Sequence, residues 1–335
     1  MKASAIAHSN IALIKYWGRS SQHDPQLNIP LNDTVSMTKH GLTNGIHLQT
    51  HTTIEFAPEL DRDIVVVEDQ EVVGRHLERV VRVVDHLRWQ AQVSHRFRMV
   101  SRNDFPTQAG LASSASAFAA LALAAATALG LNFTREQLST IARLGSGSAA
   151  RSIHGGFVYC YRGQSHETAY AEQICPRNCF EMNAVIAIVD MGRKTITSDE
   201  GHRLAATSPF NEIRIRKSQQ QAQQIRKLIL ENDFNAVGQM AEANCLYMHA
   251  VMMTSQPSLL YWQPTTLKII KTIQQLREAG LPCYFTIDAG PNVHCLCQPQ
   301  NMLELQKILD SIDGVQKTIL VEPGEDALVT DQHLF

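Results

Sequence analysis

The sequence predicts an α+β protein with two lobes, and three observations predict it. At 335 residues the chain exceeds what one hydrophobic core usually holds. Strand-length apolar runs mix with helical periodicity in the first half, and long helical patterns dominate the second. Composition shifts near Cys175 to Asn183, which sets a boundary between residues 1–180 and residues 181–335.

Each element follows from its local pattern. Ala3 to Tyr16 reads as extended and largely buried. Ile64-Val-Val-Val67, the polar turn Glu68-Asp-Gln70 and Val72-Val73 read as a hairpin. Leu77, Val80, Val81, Val84 and Leu87 recur at helical spacing within 75–87, and His95 to Ser101 reads as a further strand. An Ala-rich helix is expected over Ala117 to Leu131, with Phe118, Leu121, Ala122, Ala125 and Leu129 as its buried stripe. Phe157 to Tyr161 and Val185 to Asp190 are strand candidates. Helices are expected over Asn211 to Leu230, Asp233 to Met252 and Thr265 to Ala279. Cys283 to Ile287 and Val293 to Cys297 read as a strand pair around the loop Asp288-Ala-Gly-Pro-Asn292. Met302 to Ile312 and Thr318 to Val321 close the chain as helix and strand.

Composition excludes several function classes. Hydrophobic residues make up 44% and charged residues 19%, with a formal net charge of −2. No basic field exists to hold nucleic acid or an anionic membrane, so an anionic ligand must be held by local donors. The basic run Arg214-Ile-Arg-Lys217 reads as a solvated helix face. The seven cysteines show neither CxxC pairs nor Cys/His zinc spacing, which predicts free thiols in a reducing cytosol. The N-terminal apolar run is broken by His8, Asn10 and Lys15 and does not read as a signal peptide. The expectation is a cytoplasmic protein acting on a small molecule.

Four segments carry chemistry. Phe105-Pro-Thr-Gln-Ala-Gly-Leu-Ala-Ser-Ser-Ala-Ser116 is a Gly/Ser turn that opens into a helix. Unpaired N–H groups and the dipole at such a helix start favour phosphate, and the hydroxyls of Ser113, Ser114 and Ser116 add donors or metal ligands. A Ser-capped core helix is the plainer reading of the same turn. In Asn10-Ile-Ala-Leu-Ile-Lys-Tyr-Trp-Gly-Arg19, Lys15 lies in an apolar strand, where an unpaired ammonium is costly, so it needs an anionic partner from the protein or a ligand, unless it snorkels out at the strand end. Tyr16 and Arg19 add a hydroxyl and a guanidinium suited to phosphate. Gly145-Ser-Gly-Ser-Ala-Ala-Arg151 places two hydroxyls and Arg151 on a flexible backbone, either a second anion site or a surface loop. In Asp288-Ala-Gly-Pro-Asn-Val293 a tight turn fixes an acid directly after a strand, although an isolated Asp there also suits a cap.

Together and in this order, the four segments resemble the GHMP small-molecule kinase superfamily, and within it the mevalonate 5-diphosphate decarboxylases. The patterns of that family are NIAxIKYWGK, NxPTxxGLxSSAS, SGSxxRSxxGG and DAGPNV. Weaker echoes occur at Asn28-Ile-Pro-Leu-Asn32, Thr197-Ser-Asp-Glu-Gly201 and Glu242-Ala-Asn-Cys-Leu-Tyr-Met-His-Ala250.

The resemblance implies the two-lobed GHMP kinase fold. The N-terminal lobe would be of the ribosomal protein S5 domain 2-like type, with the active site in the cleft between lobes. It implies ATP and Mg²⁺ held at Gly110, Leu111, Ala112, Ser113, Ser114 and Ser116, with Ser113 or Ser114 on the metal. The implied reaction is ATP-dependent decarboxylation of mevalonate 5-diphosphate to isopentenyl diphosphate, ADP, phosphate and CO₂, by way of 3-hydroxyl phosphorylation. Asp288 would orient or deprotonate that hydroxyl, and Lys15 would keep Asp288 ionised and offset phosphoryl charge. Arg151 would neutralise the substrate carboxylate or phosphate. Tyr16, Arg19, Ser146, Ser148 and Ser198 would line the distal phosphate end. A homodimer follows family habit.

This sequence departs from the family at three places. Arg19 stands where Lys is usual, and His294 follows DAGPNV, where Lys is frequent. Ser198-Asp199-Glu200-Gly201-His202 stands where the family commonly reads Ser-Arg-x-Gly-Met. Asp199 reverses a charge near the terminal phosphate, which keeps open decarboxylation of mevalonate 5-phosphate to isopentenyl phosphate unless Arg193, Lys194 or His202 compensates. A mevalonate 3-kinase and a non-catalytic ligand sensor are the remaining alternatives, and the presence of both Lys15 and Asp288 argues against the sensor. The polar loop Ser20 to Gln26 is a candidate flap at the cleft.

Overall fold

A computed structural model describes residues 1–43, 45–105, 113–192 and 196–335. In chain order its elements begin with β1 (Lys2–His8), β2 (Asn10–Ile14), β3 (Thr34–Gly41), β4 (Gln49–Ala57), β5 (Ile64–Val67) and β6 (Gln70–Glu71). Then come α1 (Arg75–Ala91), β7 (Arg96–Asn103), α2 (Ser113–Ala128), α3 (Arg135–Gly145), β8 (Phe157–Cys160) and β9 (Ala171–Cys175). The second half runs β10 (Asn183–Ile188), α4 (Ser198–Leu204), α5 (Asn211–Leu230), α6 (Phe234–Thr254), α7 (Pro264–Glu278), β11 (Cys283–Thr286), β12 (Val293–Cys297), α8 (Met302–Asp310), β13 (Lys317–Pro323) and β14 (Leu328–Thr330).

The strands form two sheets. One has the order β14-β1-β4-β7-β5-β6, and the other β11-β12-β10-β13-β3-β8-β9, with β2 added on β3. The first sheet buries Ile54, Phe56, Phe97 and Met99 against the alanine surface of α2 and the apolar stripe of α1. The second is covered on one face by α5 and α6, through Ile225 and Val237 against Met37 and Ile186. Its other face packs Val185 and Phe285 on Ile269 of α7 and Leu305 of α8. β13 joins β3, and β14 returns to β1, so ladder hydrogen bonds tie the C-terminal residues to both sheets. The result is the expected two-lobed α+β architecture.

The pattern-based expectations hold for most elements and miss a consistent set. β3 and β4 were not foreseen because Thr34, Ser36, Thr38, Thr50, Thr52 and Thr53 occupy buried positions where an apolar alternation is sought. Most of their hydroxyls pair internally, Thr50 with Ser116 at 2.6 Å, Thr52 with Ser101 at 2.9 Å and Ser4 with Thr53 at 2.6 Å, whereas Ser36 Oγ has no partner among the described residues. The Ala-rich helix begins at Ser113 and ends at Ala128 rather than spanning Ala117 to Leu131. α3 starts at a capping box of Thr134 and Gln137.

Two further expectations are corrected. Cys175 and Cys179 form a disulfide, because the turn in which Cys179 N–H donates to Pro176 O brings their Cα atoms to 6.0 Å. The other five cysteines are free and buried. Arg214 is not on a solvated face: it is 2% exposed and donates to Trp17 O at 2.6 Å and Asn32 Oδ1 at 3.0 Å. Among the described residues no helix is long and apolar enough to cross a membrane, and no His/Cys/Asp/Glu group is arranged to hold a metal ion.

Candidate active site

A cleft of about 730 Å³ is walled by both halves of the chain. Its floor comes from the end of β2 and the loop after β11. β2 is wholly buried, so the strand carries Lys15 into the interior, where it is 1% exposed. Its backbone is fixed by Lys15 N–H donating to Asn244 Oδ1 at 2.8 Å and by Asn32 Nδ2 donating to Lys15 O at 3.3 Å. The Lys15 ammonium then donates to Asp288 Oδ1 at 2.6 Å. Asp288 is held by its own loop: Gly290 N–H donates to Asp288 O at 2.7 Å. Asn292 Oδ1 accepts from Val189 N–H at 2.7 Å and from Asp190 N–H at 3.0 Å, which docks the loop on β10.

Electrostatics at this floor favour a carboxylate. Burial pushes Asp288 up, but the charge and hydrogen bond of Lys15, with His294 and Lys39 adding, outweigh it and bring Asp288 down to about 2. Its side chain keeps 32% exposure toward the cleft, whereas Lys15 has almost none.

One wall is a ladder of hydroxyls. Ser114 and Ser146 oxygens are 3.3 Å apart, and Ser146 and Ser148 oxygens 3.1 Å. Asn10 Nδ2 donates to Ser148 O at 3.1 Å and Ser152 Oγ at 2.7 Å, joining this wall to β2. Arg151 is 3% exposed, donates to Thr34 Oγ1 at 3.3 Å, and leaves Nε without a partner among the described residues. Burial pulls its guanidinium below the usual range, the condition of a cation built to receive an anion. A Cβ at Gly147 would collide with the Tyr16 ring, so only glycine lets the Ser146–Ser148 turn close on that ring.

The far end of the cleft gathers guanidinium groups. Tyr16 OH donates to Asn28 O at 3.1 Å and accepts from Arg19 Nε at 3.3 Å. Asp199 ion-pairs with both Arg19 and Arg75, and with Arg203 at 3.5 Å. Arg79 lies over the Phe118 ring at 4.9 Å and donates to Gly145 O at 2.7 Å, with its guanidinium pulled down to about 10 by burial and by Arg19, Arg75 and Arg82. Asp199 is thus paired with Arg19, Arg75 and Arg203, none of which was among the groups expected to compensate it. His202 does not supply that compensation: burial, with Arg19, Arg214 and Arg151 adding, holds the ring well below its ordinary value and neutral. Its Nδ1 accepts from Gly18 N–H at 2.9 Å, and the ring packs on Tyr16 and Trp17 at 4.4 and 4.7 Å. Arg193 and Lys194 lie outside the described residues.

Of the residues singled out in the sequence, Tyr16, Arg19, Ser113, Ser114, Ser146, Ser148, Arg151, Ser198 and Asp288 line the cleft, and Lys15 stands behind Asp288. Ser116 is not brought there. It sits one helical turn after Ser113 and faces the sheet, where its hydroxyl meets Thr50 and donates to Ser113 O at 3.2 Å. Gly110, Leu111 and Ala112 lie outside the described residues. Of the loop Ser20 to Gln26, residues Ser20 to His23 line a neighbouring cavity with Arg162, and His23 Nε2 is 2.8 Å from Gln164 O. Thr197 and Met248, from two of the weaker echoes, also line the cleft, as do His76 and Arg79, which were not anticipated. The polar spacing of Arg75, His76 and Arg79 opposite the apolar stripe of α1 was the available signal.

Comparison with known proteins places the chain among relatives along nearly its whole length. Residues 7–171 match the diphosphomevalonate decarboxylase-like N-terminal domain, and residues 184–325 the mevalonate 5-diphosphate decarboxylase C-terminal domain. A phosphomevalonate decarboxylase from Haloferax volcanii is 37% identical over 295 residues, covering 88% of this chain and 87% of that protein. A diphosphomevalonate decarboxylase from Saccharomyces cerevisiae is 32% identical over 346 residues, covering 96% and 85%. The solved structure of mevalonate diphosphate decarboxylase from Staphylococcus aureus is similar at TM-score 0.90 with 35% identity over 98% of both chains. A complex of MDDEF with MVAPP, AMPPCP and magnesium is similar at TM-score 0.89 with 34% identity over 99% of both.

Proposed function

From the premise that this chain belongs to the mevalonate diphosphate decarboxylase family, we propose that it decarboxylates mevalonate 5-diphosphate at the expense of ATP, releasing isopentenyl diphosphate, ADP, phosphate and CO₂. The observation that carries the reading is the Lys15–Asp288 pair, an ionised carboxylate open to a cleft lined with hydroxyls and a buried guanidinium. Asp288 accepts the hydrogen bond of the tertiary 3-hydroxyl and aims its oxygen at the phosphoryl donor. A carboxylate held at about 2 is a weak base, so the proton passes to it only as the new O–P bond forms. Phosphate is then a good leaving group; the C–O bond breaks, the carboxylate carbon leaves as CO₂, and its bonding electrons close the double bond. Lys15 keeps Asp288 charged and offsets negative charge at the transferring phosphoryl group.

Arg151 faces the carboxylate or phosphate of the substrate, and Tyr16, Arg19, Ser146, Ser148 and Ser198 form the phosphate end. The triphosphate fits the start of α2, where Ser113 and Ser114 reach the cleft; these hydroxyls would hold Mg²⁺, which neutralises phosphate charge when bound. The division into an ATP-binding lobe, residues 1–180, and a second lobe, residues 181–335, and a cytoplasmic location belong to the same proposal.

A second reading, mevalonate 5-phosphate as substrate, has its own observation. Asp199 engages the guanidinium groups of Arg19 and Arg75 that a terminal phosphate would use, and a similar chain is a phosphomevalonate decarboxylase. The test is release of CO₂, ADP and phosphate from ATP-Mg²⁺ with each substrate in parallel. The diphosphate should be turned over faster; preference for the monophosphate establishes the second reading. CO₂ from neither substrate removes both.

A further inference from the structure

Behind the reaction centre the protein buries a second lysine. Lys39 on β3 is 0% exposed, and its ammonium nitrogen lies 3.3 Å from Nε2 of His294 on β12. His294 is 1% exposed, and its Nδ1 has no partner among the described residues. Met37, two residues earlier on β3, is an apolar core residue, so packing at this strand face does not itself call for a cation. A buried ammonium costs free energy that an apolar side chain of similar length does not. Such a cost is most often borne where charge serves the chemistry.

The charged groups acting on Lys39 come from separate elements. Asp288, on the loop after β11, favours its protonation, and Lys15, after β2, opposes it. His294 on β12 shares its hydrogen bond. Glu322 on the neighbouring strand β13 acts on His40 instead. Burial is the largest influence and pulls Lys39 down to about 7. Burial, followed by Lys39, holds His294 well below its ordinary value. Both groups in turn lower Asp288.

We propose that Lys39 and His294 are a proton-sharing pair that keeps one positive charge behind Asp288, and that Lys39 is a positioning residue for phosphoryl transfer, acting through that carboxylate. When Lys39 is protonated, it donates to His294 Nε2 and its charge steadies Asp288 and offsets the anionic groups gathered at the cleft floor. When rising pH removes the proton, that support is lost and turnover slows. The inference rests on the decarboxylase reading above.

The test compares wild type with Lys39→Met and His294→Gln. In wild type, kcat/KM should fall as pH rises past about 7, because that profile reports the free enzyme. Lys39→Met should abolish this fall and lower kcat at neutral pH on the order of tenfold, with KM for ATP within about twofold. Its melting temperature should stay at or above that of wild type, which a purely structural lysine would not allow. His294→Gln should shift the alkaline fall and not remove it. A Lys39→Met enzyme with wild-type kcat and an unchanged pH profile overturns the proposal. If that variant does not fold, Lys39→Arg carries the test, retaining activity while moving the alkaline fall to higher pH.

Failure of the decarboxylase reading shows separately, as wild type without turnover. The pair is then read from stability. Lys39 has a lowered folded-state proton affinity, so between about 7 and its ordinary 10.5 the unfolded chain binds more protons and wild-type stability rises with pH. Lys39→Met should lack that rise relative to wild type; an identical slope in both overturns the shared proton.

Discussion

The Lys15 ammonium and the Asp288 carboxylate face each other at 2.6 Å, with the cation sealed from solvent and the anion a third open to the cleft. This asymmetry opens the carboxylate, and not the lysine, to the cleft. Asp288→Asn is expected to lower kcat by about 10²–10⁴ and, by stranding a buried ammonium, to lower the melting temperature. Steady-state CO₂ release and thermal unfolding check both. Turnover within about tenfold of wild type would remove Asp288 from the reaction.

The same pair sets an acid-side stability dependence. Asp288 is depressed from its ordinary 3.8 to about 2, so its stabilising contribution is fully present above 3.8 and is lost as pH falls through about 2. Denaturant titrations between these limits should show a steeper loss in wild type than in Asp288→Asn. Equal slopes would mean the ion pair does not form in solution.

Asp199 ties Arg19 to Arg75 at the far end of the cleft. Asp199→Asn should free both guanidinium groups and raise kcat/KM for the diphosphate relative to the monophosphate by about tenfold. The readout is the ratio of the two specificity constants; a constant ratio would show that Asp199 does not read phosphate number.

Gly147 leaves no room for a Cβ beside Tyr16. Gly147→Ala should push the ring and the Ser146–Ser148 turn apart, raising KM for the phosphorylated substrate by about tenfold while shifting stability by only about 1–3 kcal/mol. Initial-rate kinetics and thermal melts separate the two effects. An unchanged KM would place substrate away from the Tyr16 wall.

Two neighbouring serines should behave oppositely. Ser116→Ala breaks a buried hydroxyl pair with Thr50 and should cost about 1 kcal/mol of stability with kcat retained. Ser114→Ala, on the cleft wall, should lower activity with little change in melting temperature. The reverse result would return Ser116 to the ligand.

Much of the site was legible locally. An ammonium in an apolar strand demands an anion, and the turn Asp288-Ala-Gly-Pro-Asn292 offered one; the structure joins them. Helices α5, α6 and α7 were readable from periodicity. β3 and β4 were not, because hydroxyls paired inside the protein look polar in sequence although they are buried. The direction of Ser116 was likewise hidden, since a helix start assigns a rotation only once its packing partner is known.

The sequence by itself determined the chemistry available: a lysine, an acid, two serine-bearing turns and an arginine, each in a short motif whose geometry is set by neighbouring residues. Tertiary structure alone decided which of them meet. Asp199 finds Arg75 from 124 positions away and Lys39 finds His294 from 255, distances over which no local propensity acts. The first contact joins α4 to α1 and the second joins β3 to β12 within one sheet, and both form only because burial of apolar faces packs these elements together. Pairing of the buried Lys15 with Asp288 and of the buried Lys39 with His294 follows from the cost of leaving either ammonium alone in the interior.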